Sequence, residues 1–201
     1  EARRVARDAV EIARAAARNG GGAVALAPRP AVVDEWVSPC ELDPFEVPVK
    51  DKIALLMECD ARMAQQSRLA VREGTLCALR VEQLYASTDG ARIHQTKTET
   101  GVGLEAIAAQ EGEVQVRSYP QYGTDWATAG WEFVVARNLP ENAGRIAREA
   151  VELLDAPDCP SDVRTLIIRG SMLALQLHES CGHPIELDRV LGTEASFAGT
   201  S

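Results

Sequence analysis

Two of the chain's three histidines flank a glutamate within one hexapeptide, His178-Glu179-Ser180-Cys181-Gly182-His183. Two imidazoles and a carboxylate in so short a run is the composition of a zinc-hydrolase helix. The apolar run Leu173, Ala174, Leu175 and Leu177 leads into it, so the cluster is expected on a buried or half-buried helix. Unpaired ionisable groups are costly there, and a metal ion would compensate them. In the His-Glu-x-x-His pattern, imidazoles four residues apart lie about 40° from one another around an α-helix and face one ion. Five apart, as here, they lie about 140° apart on a regular helix, too far for one tetrahedral zinc with Zn–N distances of about 2.0–2.1 Å. Either the helix widens locally into a π-bulge, or it ends at Gly182 and His183 turns back from a non-helical position. Gly182 followed by His183-Pro184 favours the second geometry, because proline disfavours helical backbone before it and glycine is the usual exit from a helix. Glu179 adjoins the first histidine and lies four residues before the second. In zinc peptidases a carboxylate so placed is a general base. His178 and His183 are therefore the candidate metal ligands and Glu179 the candidate base, against the plainer reading of a polar cap cluster at a helix end. Cys181 is expected to point away from the metal.

The elements that must hold this motif can be read from periodicity. Residues 1–18 carry Val5, Ala9, Ile12, Ala13 and Ala16 at helical intervals, and Asn19-Gly20-Gly21-Gly22 stops them. Ala23–Ala27 and Ala31–Val37 are short β-prone runs split by Pro28 and Pro30, followed by a surface connection through Pro39, Pro44 and Pro48. Val49–Gln66 reads as a second amphipathic helix, with Ile53, Leu56, Met57 and Met63 on its apolar side. From Ser67 to Tyr119 the texture is that of an antiparallel meander, with turn signals at Glu73-Gly74, Asp89-Gly90 and Glu111-Gly112. His94 falls in a β run without a neighbouring ligand residue, which makes it a strand histidine. Tyr119, Tyr122, Trp126, Trp131 and Phe133 suit core filling at a sheet-to-helix junction better than a peptide groove. Asn138–Ala156 forms a third helix, with Ile146, Ala150, Leu153 and Leu154 on one face and Arg145 and Arg148 on a solvated one. Thr165–Arg169 reads as a short buried strand and Ser171 as the N-cap of the motif helix. Gly101-Val102-Gly103 lacks the rest of a phosphate-binding fingerprint. The fold class is α+β, a mainly antiparallel sheet with flanking helices.

Charge and cysteine usage narrow the function. Lys plus Arg number 21 against 30 Asp plus Glu, a net charge of −9, so long-range attraction to nucleic-acid phosphate, and with it direct nucleic-acid binding, is not expected. No apolar run approaches the roughly 20 residues of a membrane helix. With no signal peptide in view, a cytoplasmic location is the favoured expectation. Five scattered cysteines without a CxxC pair are not a disulfide framework and read mostly as small buried hydrophobes.

The stretch His178–Asp188, HESCGHPIELD, with TLIIRGSMLALQL before it and FAGTS after it, closely resembles the TldD branch of the TldD/PmbA metalloproteases. The likeness extends upstream through LYASTDGARIHQTKTETGVGLEAIAAQEGEVQVRSYPQYGTDWATAGWEF, NAGRIAREAVELLDAP and DPFEVPVKDKIALL, and so covers nearly the whole chain. PmbA-type (TldE) subunits lack HExxxH, so the resemblance implies a catalytic-type subunit. It further implies a zinc-dependent peptidase acting on small or unfolded peptides inside a barrel-like heterodimer with a PmbA/TldE-type subunit, a homodimer being the other possibility. The family's label, modulator of DNA gyrase, comes from processing peptides such as microcin precursors and antitoxins. Family members are more than twice this length, and their third zinc ligand is a cysteine in a downstream domain, beyond Ser201. The resemblance thus implies an internal fragment of a larger two-domain protein. Residues 1–160 would be the N-terminal and central α+β region, truncated at its start, and residues 161–201 the beginning of the metalloprotease domain. With two histidines and no third protein ligand, such a fragment is expected to hold zinc weakly and to be inactive alone. The competing function is a non-catalytic assembly subunit with a vestigial motif.

Overall fold

The computed structural model describes residues 1–19, 30–120 and 123–194. The glycine stop after the first helix, the run Ala23–Ala27, Tyr122 and the FAGTS segment lie outside them. Element order is α1 (Ala2–Asn19), β1 (Val33–Val37), α2 (Val49–Met63), β2 (Leu69–Ala86), β3 (Arg92–Gln110), β4 (Glu113–Tyr119), β5 (Asp125–Ala127), α3 (Trp131–Ala136), α4 (Leu139–Leu154), α5 (Gly170–Leu177) and α6 (Leu187–Val190). The strands form one five-stranded sheet in which β3 lies between β1 and β2 and pairs also with β4 and β5. The β4 and β5 pairings are antiparallel. Helices set against a mostly antiparallel sheet make an α+β fold, as the periodicity implies.

The chain divides into two compact units, Glu1–Glu35 with Leu84–His94, and Trp36–Gln83 with Gln95–Ser201. In the first, α1 forms as its spacing predicts, yet Val5, Val10 and Ile12 stay exposed. His94 is a strand residue within 3.2 Å of the Glu35 carboxylate.

In the second unit the core is built on one face of β3. Val102, Leu104, Ala106 and Ala108 alternate along the strand and are fully or almost fully buried, packed against Leu139, Ala143, Ile146, Ala147 and Ala150 of α4 and Cys59 and Met63 of α2. The alanines bring α4 close to the strand. On α2 the buried line runs through Leu55, Cys59 and Met63, while Ile53 and Met57 point to solvent, so the apolar face is rotated from the one its larger side chains suggest. Phe133 is in the core, Tyr119 and Trp131 pack against it, and Trp126 covers Gly101, where a Cβ would stand 2.5 Å from the indole.

The turns separate two uses of glycine. Glu111-Gly112 is a two-residue hairpin turn with both φ values positive, 50° and 91°, joining Gln110 to Glu113 in register. That is the type I′ arrangement that matches strand twist. Gly74 sits inside β2 instead of at a turn. A Cβ there would meet Leu56 at 3.1 Å and Leu104 at 3.4 Å, so the glycine makes room for α2 over the sheet. The proline-rich connection is not wholly superficial either, because Pro44 and Ser38 are buried. The Ser38 hydroxyl accepts the Thr98 N–H at 2.8 Å, and Arg80 on β2 reaches Asp43 at 2.7 Å, holding its carboxyl below the usual range. Arg68, just before β2, grips Asp155, just past α4, through both terminal guanidinium nitrogens.

Three expectations fail after α4. Thr165–Arg169 is neither strand nor buried, since Leu166 and Ile167 are 81% and 93% exposed and have no strand partner among the described residues. Helix α5 begins two residues earlier than expected, with Arg169 at its N-cap position and Ser171 inside it. Its apolar residues Met172, Leu175 and Leu177 are exposed, so the motif does not ride on a buried helix. All five cysteines are free, but only Cys59 is buried. Burial pushes its thiol up to about 11.

Candidate metal centre

The backbone passes from α5 through one π turn, His178–Gly182, and one 3-10 turn, His183–Ile185, without leaving the right-handed region. Gly182 has φ −62° and ψ −58°, and His183 has φ −64° and ψ −42°. The helix therefore does not end at Gly182 through a left-handed glycine, and of the two geometries open to the motif the wider turn is the one adopted. The physical reason lies at Pro184, which has no N–H to bond four residues back. At the residue before it, the His183 N–H already bonds His178 O, five residues back. Widening by one residue is what brings positions i and i+5 to the same side of a helix.

That turn brings the three motif side chains together. One donor atom from each of His178, Glu179 and His183 lies within 4.8 Å of the others. The two rings meet edge to face, with centroids 4.5 Å apart at 80°, and His183 Nε2 is 3.9 Å from a Glu179 oxygen. Donors around a tetrahedral zinc at about 2.0–2.1 Å stand about 3.3–3.5 Å apart. The observed group would have to close by little more than an ångström, a rotamer-scale adjustment for the exposed His178 and Glu179 and the half-buried His183. Two imidazoles and a carboxylate are also the right donor chemistry for that ion. Cys181 belongs to the same turn but not to this group.

Sequence reasoning missed the residues behind His183. Its Nδ1 is 2.5 Å from Glu186 Oε1, and the other Glu186 oxygen is 3.6 Å from Arg189 Nε. Arg189 Nε donates to Glu194 Oε2 at 2.7 Å. The available signal was local, a carboxylate three residues after the second histidine on a continuing helical path. Glu186, Asp188 and Glu194 form a second group of clustered carboxylates, with the Arg189 guanidinium among them. Its hydrogen bond to Glu194, with the charges of Glu186 and Asp188, raises its pKa against the effect of burial.

Residues 42–156 match the PmbA/TldA metallopeptidase central domain. This is more than half of the chain, and the match stops short of the motif turn. The chain is also 22% identical over 173 residues to a metalloprotease of Methanocaldococcus jannaschii and 22% identical over 167 residues to a metalloprotease of Methanothermobacter thermautotrophicus. Each of these covers 83% of this chain and 36% of the relative, so the chain spans about a third of their length. Since a central domain of that description accounts for β2 to β5 and the helices packed on them, the chain belongs to the PmbA/TldA metallopeptidase family.

Proposed function

We propose that the protein is the zinc-binding, TldD-type subunit of a metallopeptidase that cleaves small or unfolded peptides. The observation that carries this reading is the π turn that sets His178, Glu179 and His183 within 4.8 Å of one another. His178 and His183 would hold the zinc through ring nitrogens, and a cysteine outside these 201 residues would complete the ligand set. Bound zinc would polarise the peptide carbonyl and favour ionisation of the attacking water. Glu179 takes the proton of that water onto a carboxylate oxygen and passes it to the departing amine nitrogen, so no free hydroxide or amide anion forms. His183 is steadied by Glu186, and His178 lies edge to face against it. The exposed apolar side of α5 suits cover by the remainder of the parent protein. A PmbA/TldE-type subunit, or a second copy, would enclose the site, and the cytoplasm would be its compartment.

Replacing Glu179 by Ala in the intact protein with its partner tests the assignment. Cleavage should fall by about 10²–10⁴-fold, the usual contribution of a positioned acid-base group, while zinc content stays at the wild-type level. Unchanged cleavage would reject Glu179 as the base. Absence of cleavage in the wild type itself would favour an assembly subunit with a vestigial motif.

A further inference from the structure

We propose that Glu186 is a positioning residue for the metal centre, holding His183 by its Nδ1–H so that Nε2 is offered to a divalent cation. This rests on the assignment of His183 as a ligand. The Nδ1 to Oε1 distance is 2.5 Å. A carboxylate oxygen accepts from a ring N–H, so this contact selects the tautomer of the neutral ring with hydrogen on Nδ1, the one whose lone pair lies on Nε2. Nε2 is the atom that faces Glu179, which puts the lone pair on the side where the three motif side chains converge.

Two other roles for Glu186 are excluded by its surroundings. It occupies the N-cap position of α6, yet its side chain makes no cap hydrogen bond, so it is not there to start that helix. Nor do Glu186, Asp188 and Glu194 call for a second cation, because Arg189 already supplies a positive charge among them, 2.7 Å from Glu194 and 3.6 Å from Glu186. The arrangement is instead a relay of orientation. Glu194 fixes Arg189, Arg189 lies against one oxygen of Glu186, and the other oxygen of Glu186 fixes the imidazole. Ligating histidines commonly have such a carboxylate partner, which sets the tautomer and raises the basicity of the ligating nitrogen.

The test is zinc affinity in the intact protein, measured by competition with a chromophoric chelator. Glu186→Ala should weaken zinc binding by about 10–100-fold with an unchanged circular dichroism spectrum, the usual cost of losing an outer carboxylate. Glu186→Gln keeps an oxygen that can accept the Nδ1 hydrogen and should lose less. If Glu186→Ala binds zinc like the wild type while His178→Ala and His183→Ala do not, the positioning role is overturned and the zinc site stands. If the two histidine variants also bind like the wild type, the zinc assignment fails and this proposal with it. Nitrogen-15 NMR of His183 in the metal-free wild type gives a readout that needs no variant to fold. The Nδ1–H tautomer supports the role, and the Nε2–H tautomer overturns it.

Discussion

At Glu132 a single carboxylate ties two distant stretches of backbone together. Its Oε2 accepts the Leu42 N–H at 3.0 Å and its Oε1 the Gly130 N–H at 2.6 Å, fixing the connection before α2 to the start of α3. Gly130 is required there, since a Cβ would stand 2.3 Å from Leu42 O. Partial burial pushes the Glu132 carboxyl up, but the backbone N–H donors outweigh it and leave the pKa below the ordinary 4.5. A depressed folded-state pKa means stability that is present above the unfolded value and is lost as pH falls through the folded one. Glu132→Gln should therefore lower stability at pH 7 by about 1–2 kcal/mol, the scale of hydrogen bonds to a charged group. The gap to the wild type should close as urea melts are repeated downward from pH 5. A gap that stays constant with pH would mean that charge is not what Glu132 contributes. The bond to Leu42 was not legible in the sequence, because that partner stands 90 residues from Glu132, whereas Gly130 is only two residues away. His178, Glu179 and His183 could be found because their proximity is local, and Glu186 could have been found the same way.

Among the elements, the β3–β4 hairpin shows how backbone geometry selects residues. A type I′ turn needs positive φ at both central positions, and Glu111 occupies one of them at φ 50°. A non-glycine residue in the left-handed region costs about 1–2 kcal/mol, less for asparagine. Glu111→Asn should raise stability by roughly 0.5–1 kcal/mol, whereas Gly112→Ala should lower it by about 1 kcal/mol or more. No atom lies within 4 Å of a Cβ added at Gly112, so that loss would measure backbone strain alone, and equal melting temperatures for the two variants would contradict the turn assignment. This turn and the one at Asp89-Gly90 could be read from sequence because the glycine answers a local demand. Gly74 misled because its demand is tertiary, the approach of Leu56 and Leu104. The π turn was ambiguous because periodicity presumes a regular helix, while a one-residue widening is decided by where the ladder can still find donors around Pro184. Thr165–Arg169 has the composition of a buried strand, but no strand pairs with it among the described residues. Composition records what a segment can bury, and the neighbour must come from elsewhere.

On the scale of the whole chain, the number of ligands limits what 201 residues can do. No helix among the described residues is long and apolar enough to cross a membrane. The proposed chemistry rests on the motif turn. Catalytic zinc takes three protein ligands and keeps a fourth position open, and if Glu179 is the base, the turn supplies two. The relatives extend well beyond the matched region, which is 36% of each, so there is room for the third ligand elsewhere in a parent protein. The 201-residue chain should then emerge from gel filtration in zinc-containing buffer with well under one zinc per chain and without peptidase activity, while the intact protein retains about one. Atomic absorption on both samples reads the difference. Stoichiometric zinc that survives a chelator on the 201-residue chain would place the third ligand within it. The donor already within 4.8 Å of both imidazoles is Glu179, and a Glu179 bound to the metal could not also serve as the base that deprotonates the attacking water.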